Sequence, residues 1–579
     1  MAILTLLSFL FFTGLVAWVS WLKTRNDDHA SSSGYFLAGR SLGWVVIAGS
    51  LLLTNLSTEQ LVGMNGGGYQ HGMQLMAWEV WSAIAIVLMA LIFLPRYLRG
   101  GVSTVSEFLA RRYDRSVGTL VSVLLLLSLL TNLLPFVLYS GALFMREVFG
   151  VEQLFGGDAD LALWVTVIAL GVIGGVYAIF GGLKAVAVSD TLNGLGLLIG
   201  GAIIPILGLV ALGDRFGDGG FSEGLRYLTT HRPERLNPVS LSEDANVPFS
   251  TLFTGMLAIT TYYWCTNQAI VQRTFGARSL ADGQKGVLFA AVMKILAPIY
   301  VVLPGIIAFH LFCLHQHDGA EYVIDHLPKK PALLVAGEDG QPQILEQDSS
   351  GQILNRPFDS IAVGATLGEG ASQVTVQDVV PANTIVSFVD DEAKLMPGGD
   401  PATQLPMSRA DKSYGRLATS IVPNWLLGFF AAVIFGAILS SFNSGLNSAA
   451  TLFSVDIYKS LFRRDASEAQ MVRTGKIFGI AIAIGAIAVA PMIQHASGGL
   501  FDLMKKLAAF YNIPLLAVVV TGIFSRRTPS VAAWAAVFVG VAFYGYFGFY
   551  LDNMILPAGN QKEKKTIYCN PNMCTYCRD

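Results

Sequence analysis

Apolar runs of about twenty residues recur along nearly the whole 579-residue chain, and no other feature restricts its fold so severely. A hydrocarbon layer roughly 30 Å thick is crossed by about 20 residues rising 1.5 Å each, and inside it an open chain satisfies its backbone only as helix. The runs fall at about 3–22, 42–68, 73–95, 117–146, 162–181, 186–212, 250–272, 286–314, 422–458, 472–493, 499–525 and 530–551. This predicts an all-α polytopic membrane protein with about 12 transmembrane helices. Only 13% of the residues are charged and 53% are hydrophobic, against roughly 25% charged in soluble domains. A net charge of −2 with no Lys/Arg-rich arm argues against nucleic acid as a partner, and the spans make membrane lipid the expected surrounding.

The run from Met1 to Trp21 has no basic residue ahead of it and no small-residue cleavage site behind it, so it is read as the first span. Lys23, Arg25 and Arg40 follow that span, Arg96, Arg99, Arg111, Arg112 and Arg115 the third, and Arg273, Arg278 and Lys285 the seventh. Lys459, Arg463, Arg464, Arg473 and Lys476 follow the ninth, and Arg526 and Arg527 the eleventh. Cations mark the cytoplasmic side, so the pattern predicts a bacterial-type inner (plasma) membrane protein with its N-terminus outside. The acidic stretch from about His315 to Ala418 is then outside too, as an accessory domain or a partly ordered loop. Cys265 and Cys313 read as reduced, packed thiols. Cys569, Cys574 and Cys577, in a polar tail at 552–579, match only part of a plant-type iron–sulfur spacing, and no cofactor is expected.

Polar groups within spans are costly and therefore candidates for function. Thr54, Asn55, Leu56, Ser57, Thr58, Glu59 and Gln60, followed by Gly63, Gly66, Gly67 and Gly68, argue for an interrupted helix lining an aqueous site. Carbonyls freed by such a break are oxygen donors suited to sodium; helix packing through small polar residues is the alternative. In the ninth span Ser440 and Ser441 point about 100° apart, so both reach one ion only if it lies against that helix with backbone help. Asn443, Ser444, Asn447 and Ser448 follow, and serine-mediated packing is again the alternative. Glu79, near Trp78, Trp81 and Ser82, and Lys294 in the eighth span form a structural ion pair or grip ligand hydroxyls. Thr260, Thr261, Tyr262, Tyr263, Trp264, Asn267 and Gln268 set aromatic faces beside amides, which suits a sugar. Asn132 near Pro135 completes the set with Asp190, for which snorkelling to water is the competing reading. No His-Glu-x-x-His or Gly-x-Ser-x-Gly motif stands in a suitable place, so no enzyme is expected.

Longer stretches carry a resemblance. Tyr35 to Leu42, Asn55 to Met64, Trp78 to Ala83, Tyr177 to Leu183, Tyr262 to Trp264, Asn267–Gln268, Gln272 to Thr274, and Ser440–Ser441 through Asp456–Ile457–Tyr458 resemble the sodium/solute symporter family, in its sodium/glucose cotransporter branch. Leu53 to Gly63 and Tyr511 to Leu515 are similar to an uncharacterised bacterial symporter subgroup of that branch. The resemblance implies a LeuT-like core of inverted five-helix repeats at 42–212 and 250–525, the second interrupted by the loop at about 315–418. Residues 1–41 precede it, and a span at 526–551 and the tail follow. The first helix of each repeat would be broken.

The same resemblance implies a sodium-coupled symporter that imports a sugar or sugar-like polar solute by alternating access, with sodium as co-substrate. Sodium would sit on Leu53, Leu56, Ala437, Ser440 and Ser441, and Asp190 would stand on its release path. Gln60, Glu79, Ser82, Asn132, Thr260, Trp264, Lys294 and Lys505 would line the solute site, gated by Tyr263 inside and by Met64 and Phe501 outside. Thr260 replaces the branch's asparagine and Lys505 its glutamine; an ammonium there favours a ligand with an anionic or electron-rich group, or else reshapes the pocket through Asp502. A proton symporter with Asp190 or Glu79 titrating, and a transporter-like nutrient sensor, are the alternatives.

Overall fold

A computed structural model describes residues 2–28, 30–239, 247–317, 320–323, 332–336, 342–346, 352–353, 356–357, 363–364, 366–367, 374–380, 384–389, 392–396, 405, 407–495 and 500–547. All twelve apolar runs hold helix. The helices are α1 (Ala2–Thr24), α2 (Trp44–Asn55), α3 (Thr58–His71), α4 (Met76–Leu88), α5 (Arg115–Ser128), α6 (Leu134–Phe149), α7 (Ala159–Ile179) and α8 (Gly181–Phe216). They continue with α9 (Gly255–Thr266), α10 (Gln268–Phe275), α11 (Leu280–Leu296), α12 (Pro298–Phe312), α13 (Asn424–Thr451), α14 (Glu468–Val489), α15 (Leu500–Phe524) and α16 (Ser530–Gly545). Among the described residues, eight stretches are long and apolar enough to cross a membrane singly, and α11 with α12, bent by 50°, makes a ninth. The Cys-containing tail and the side chains of Phe501 and Asp502 lie outside the described residues.

The remaining runs are short because the chain interrupts them. Helix α2 stops at Asn55, Leu56 leaves helical geometry (φ −82°, ψ 55°), and extended Ser57 starts α3. Between α9 and α10 Asn267 is extended, and its side-chain oxygen accepts from the Ala269 N–H at 3.0 Å, capping α10. Gly182 turns the chain between α7 and α8 at φ 62°, ψ −178°, which only glycine adopts without strain. Pro135 lacks an N–H for the turn before it, and Leu129–Leu133 widens there to a π turn carrying Asn132.

Helix α13 forms the centre. It is buried almost throughout from Leu427 to Thr451 and packs against α1, α2, α6, α8 and α14. Close approach rests on small residues: a Cβ on Gly436 would stand 2.3 Å from the Asn193 side chain of α8, and one on Gly49 would stand 2.9 Å from Thr191. Outward faces keep their apolar side chains exposed, as Leu7, Phe11 and Trp18 of α1 do. Cys265 and Cys313 are buried thiols outside any disulfide.

Of the two readings of the outer loop, the described residues favour a small domain. Pro342–Glu346, Ala332–Ala336, Val374–Val380 and Thr366–Leu367 form an antiparallel sheet in that order, over a core of Ala332, Leu334, Val380 and Val386. The chain rejoins the helices where the Leu405 N–H donates to the Phe312 carbonyl at 3.2 Å and the Tyr69 hydroxyl donates to the Leu405 carbonyl. Met407–Lys412 then packs on α3. One loop assignment is wrong: Arg273, counted above with the cytoplasmic cations, is only 1% exposed and sits inside the bundle. An arginine survives there because Asp190 and two serines satisfy it.

Candidate functional site

The break after Asn55 faces one turn of α13. Ser441 donates its hydroxyl to the Thr54 carbonyl at 3.2 Å, while the Thr54 hydroxyl lies 3.5 Å from Ser440 Oγ and 3.4 Å from Ser444 Oγ. Leu53, Leu56 and Ala437 are fully buried. The five residues expected to hold sodium therefore lie on two elements in direct contact, and they offer only neutral oxygens, which bind a monovalent ion weakly enough to release it. Beyond the break Ser57 shares a side-chain hydrogen bond with Glu59, while Thr58 Oγ1 and Glu59 Oε2 are buried with no hydrogen-bond partner.

A second cluster adjoins it. Glu79 and Lys294 form an ion pair buried on both sides. Gln60 donates from Nε2 to Glu79 Oε1 at 2.5 Å, and the Lys294 ammonium also donates to Asn55 Oδ1 at 2.5 Å. A buried pair is tolerable only with such additional bonds. The Trp264 ring centre stands 6.0 Å from the ammonium, and Tyr263 hydrogen-bonds Asn55. The arrangement is a row of alternating donors and acceptors beside an aromatic face, which matches the polar edge and apolar face of a polyol.

The other expected solute residues are arranged differently. Ser82 and Thr260 direct their hydroxyls to their own helices, at the Trp78 carbonyl (2.7 Å) and the Met256 carbonyl (2.8 Å). Lys505 stands 5.6 Å over the Trp78 ring, so Ser82 and Lys505 meet at Trp78. Asn132 keeps Oδ1 buried and unpartnered. Met64 is fully buried on α3. The Phe501 side chain falls outside the described residues.

Asp190 does not snorkel. It is 1% exposed, and its Oδ2 accepts from Ser50 Oγ at 2.6 Å and from Arg273 Nη2 at 3.5 Å. Arg273 Nε donates to Ser50 Oγ at 2.8 Å, and Nη2 also reaches Ser444 Oγ. Sequence reasoning left Arg273, Asn55 and Glu59 out of the site. Asn55 and Glu59 stood inside the polar run already noted, whereas Arg273 looked like a loop residue because it follows the last apolar residues of its run.

The Sodium:solute symporter family model matches residues 35–329 and 382–540. The chain belongs to that family, and as a member it is a multi-pass membrane transporter, not an enzyme, of the sodium-coupled solute symport class. The unmatched interval falls within the β domain. The uncharacterized symporter YidK of Escherichia coli (strain K12) is 40% identical over 541 residues, 93% of this chain and 78% of that protein. The sodium/glucose cotransporter of Vibrio parahaemolyticus is 28% identical over 553 residues, 94% of this chain and 85% of that one. The Homo sapiens sodium/myo-inositol cotransporter is 27% identical over 538 residues, 89% of this chain and 62% of that one. A solved structure of a Na+-coupled sialic acid symporter, substrate-bound and outward-open, has a TM-score of 0.68 at 16% identity, covering 94% of this chain and 92% of that chain. The fold is thus the LeuT-like one expected.

Proposed function

We propose that this protein imports a sugar or sugar-like polar solute together with sodium across a bacterial-type inner membrane, N-terminus outside, through inverted repeats at 42–212 and 250–525. The observation that carries the reading is the Ser441 hydroxyl on the Thr54 carbonyl, 3.2 Å away, at the break between α2 and α3. Sodium would take the carbonyls of Leu53, Leu56 and Ala437 and the hydroxyls of Ser440 and Ser441, then leave past Asp190. The solute would exchange its hydroxyls into the Gln60–Glu79–Lys294–Asn55 row and lay its apolar face on Trp264, within reach of Ser82, Asn132, Thr260 and Lys505. Tyr263 would close the site inwardly, Met64 and Phe501 outwardly. One positive charge moving through 100 mV yields about 2.3 kcal/mol, which supports roughly fiftyfold accumulation.

Uptake of labelled sugars, inositols and an acidic sugar into proteoliposomes tests the proposal, with and without an inward sodium gradient. Expected is sodium-driven uptake of a member of this panel, lost in Ser441→Ala. Uptake that ignores sodium at fixed pH sinks the ion site, and uptake of none of the panel sinks the sugar-like assignment.

A further inference from the structure

Arg273 touches four elements at once. From α10 its Nε donates to Ser50 Oγ of α2 at 2.8 Å, and its Nη2 to Asp190 Oδ2 of α8 at 3.5 Å and, closely, to Ser444 Oγ of α13; Nη1 bonds the Ala269 carbonyl of its own helix. Ser444 donates in turn to the Ser440 carbonyl and lies 3.4 Å from the Thr54 hydroxyl. One side chain therefore separates the guanidinium from both walls of the candidate ion site. The neighbouring residue repeats the pattern one turn further along α13: Gln272 donates to Thr451 Oγ1 and to the Phe36 carbonyl, each at 2.8 Å, and accepts from Ser448 Oγ at 2.9 Å.

Across Asn267 the same span continues as α9, where Trp264 faces Lys294 and Tyr263 bonds Asn55. The α9–α10 span thus meets the Glu79–Lys294 cluster with one half and the serine face of α13 with the other. A guanidinium suits this junction, because its planar fork bonds several partners in fixed directions while a lysine ammonium offers only a point charge.

We infer that Arg273 is a positioning residue for ion–solute coupling: it ties the position of α9–α10 to Ser444, and through Ser444 to Ser440 and Thr54, so that movement of the solute-contacting half resets sodium affinity. This rests on the sodium symport reading above. Asp190 and the two serines also make the buried Arg273 tolerable, so the sodium dependence of uptake, and not stability, separates the coupling role from one confined to folding.

The test is the sodium activation curve and the solute KM of uptake in proteoliposomes, for wild type, Arg273→Lys, Ser444→Ala, their combination, and the charge-balanced pair Arg273→Gln with Asp190→Asn. Each variant is first checked for a monodisperse size-exclusion profile. Losing a hydrogen bond to a charged group raises the half-saturating sodium concentration by about tenfold in Arg273→Lys and in the charge-balanced pair. Solute KM at saturating sodium stays within about twofold, and Arg273→Lys and Ser444→Ala combine to less than the sum of their separate effects. Ser444→Ala keeps the Arg273–Asp190 pair and removes only the contact to α13, so a raised half-saturation in that variant carries the test if Arg273→Lys fails to fold and separates the contact from any effect of Asp190 itself. Unshifted sodium half-saturation in folded variants, a fall in maximal rate alone, or full additivity overturns the coupling role while leaving sodium symport intact. Sodium-independent uptake by the wild type overturns both.

Discussion

Two of the breaks that interrupt the spans, at Leu56 and at Asn267, are finished in opposite ways. At Asn267 the loose ends are tied: its side chain caps α10, and Gln268 accepts from the Val105 N–H at 3.1 Å and donates to the Ser103 carbonyl at 3.3 Å. At Leu56 the backbone keeps one bond, from its N–H to the Leu52 carbonyl at 2.8 Å, while Thr58 and Glu59 each leave a buried side-chain oxygen without a partner. Each such atom costs about 1–3 kcal/mol, so two in sequence persist only where something else supplies the missing bond. The second break is a joint; the first is a berth.

The largest expected effect tests the berth directly. Replacing both Ser440 and Ser441 with alanine removes the two hydroxyls of the proposed sodium site and is expected to lower sodium-driven uptake by about a hundredfold or more; uptake within a few-fold of wild type breaks the comparison. Next comes Lys294→Met, which strands the Glu79 carboxylate in a site with almost no solvent exposure and destabilises the protein by about 3–5 kcal/mol. Adding Glu79→Gln restores most of that loss, measured as thermal unfolding in detergent. A third pair compares the breaks themselves. Asn267→Ala removes a helix cap and costs about 1 kcal/mol, whereas Thr58→Val replaces a buried hydroxyl that has no hydrogen-bond partner and leaves stability unchanged or raised. Equal losses at the two positions erase the distinction.

The smallest effect is a control far from both breaks. Asp114 caps α5, accepting from the Val117 N–H at 3.0 Å and from Ser116 Oγ at 2.6 Å. These bonds and one from Ser530 hold its carboxyl down at about 2, below its ordinary 3.8. A depressed carboxyl stabilises the fold above its unfolded pKa, and that contribution fades as pH falls from 3.8 towards 2. Asp114→Ala therefore costs about 1 kcal/mol at neutral pH, and the gap to wild type narrows on acidification. A gap that widens contradicts the sign.

Helix content and span positions were legible because lipid imposes a long apolar period on every span. The first break announced itself through Thr54–Gln60, a polar run too dense for a packed helix. The second was readable only through the resemblance, since Tyr262–Trp264 looks like ordinary apolar helix and a lone asparagine carries little signal. Arg273 was misread because a rule that counts cations by position has no access to Asp190, 83 residues earlier in the chain. The β domain was undecided for a similar reason: its short strands owe their core to pairing between distant segments, as Ala332 with Val380, and local propensity does not encode such pairing.

That domain leaves and returns at nearly one point, with Phe312 and Leu405 joined by a backbone hydrogen bond. An excursion whose ends already touch adds little closure entropy, since each doubling of its length costs only about 0.6 kcal/mol. Natural variation at this junction is therefore free to lengthen, shorten or exchange the inserted domain without renegotiating the helices beneath. The same junction offers an engineering handle: a rigid fiducial or an affinity module spliced between residues 314 and 404 would take the place of the β domain while the helical machinery kept its own register.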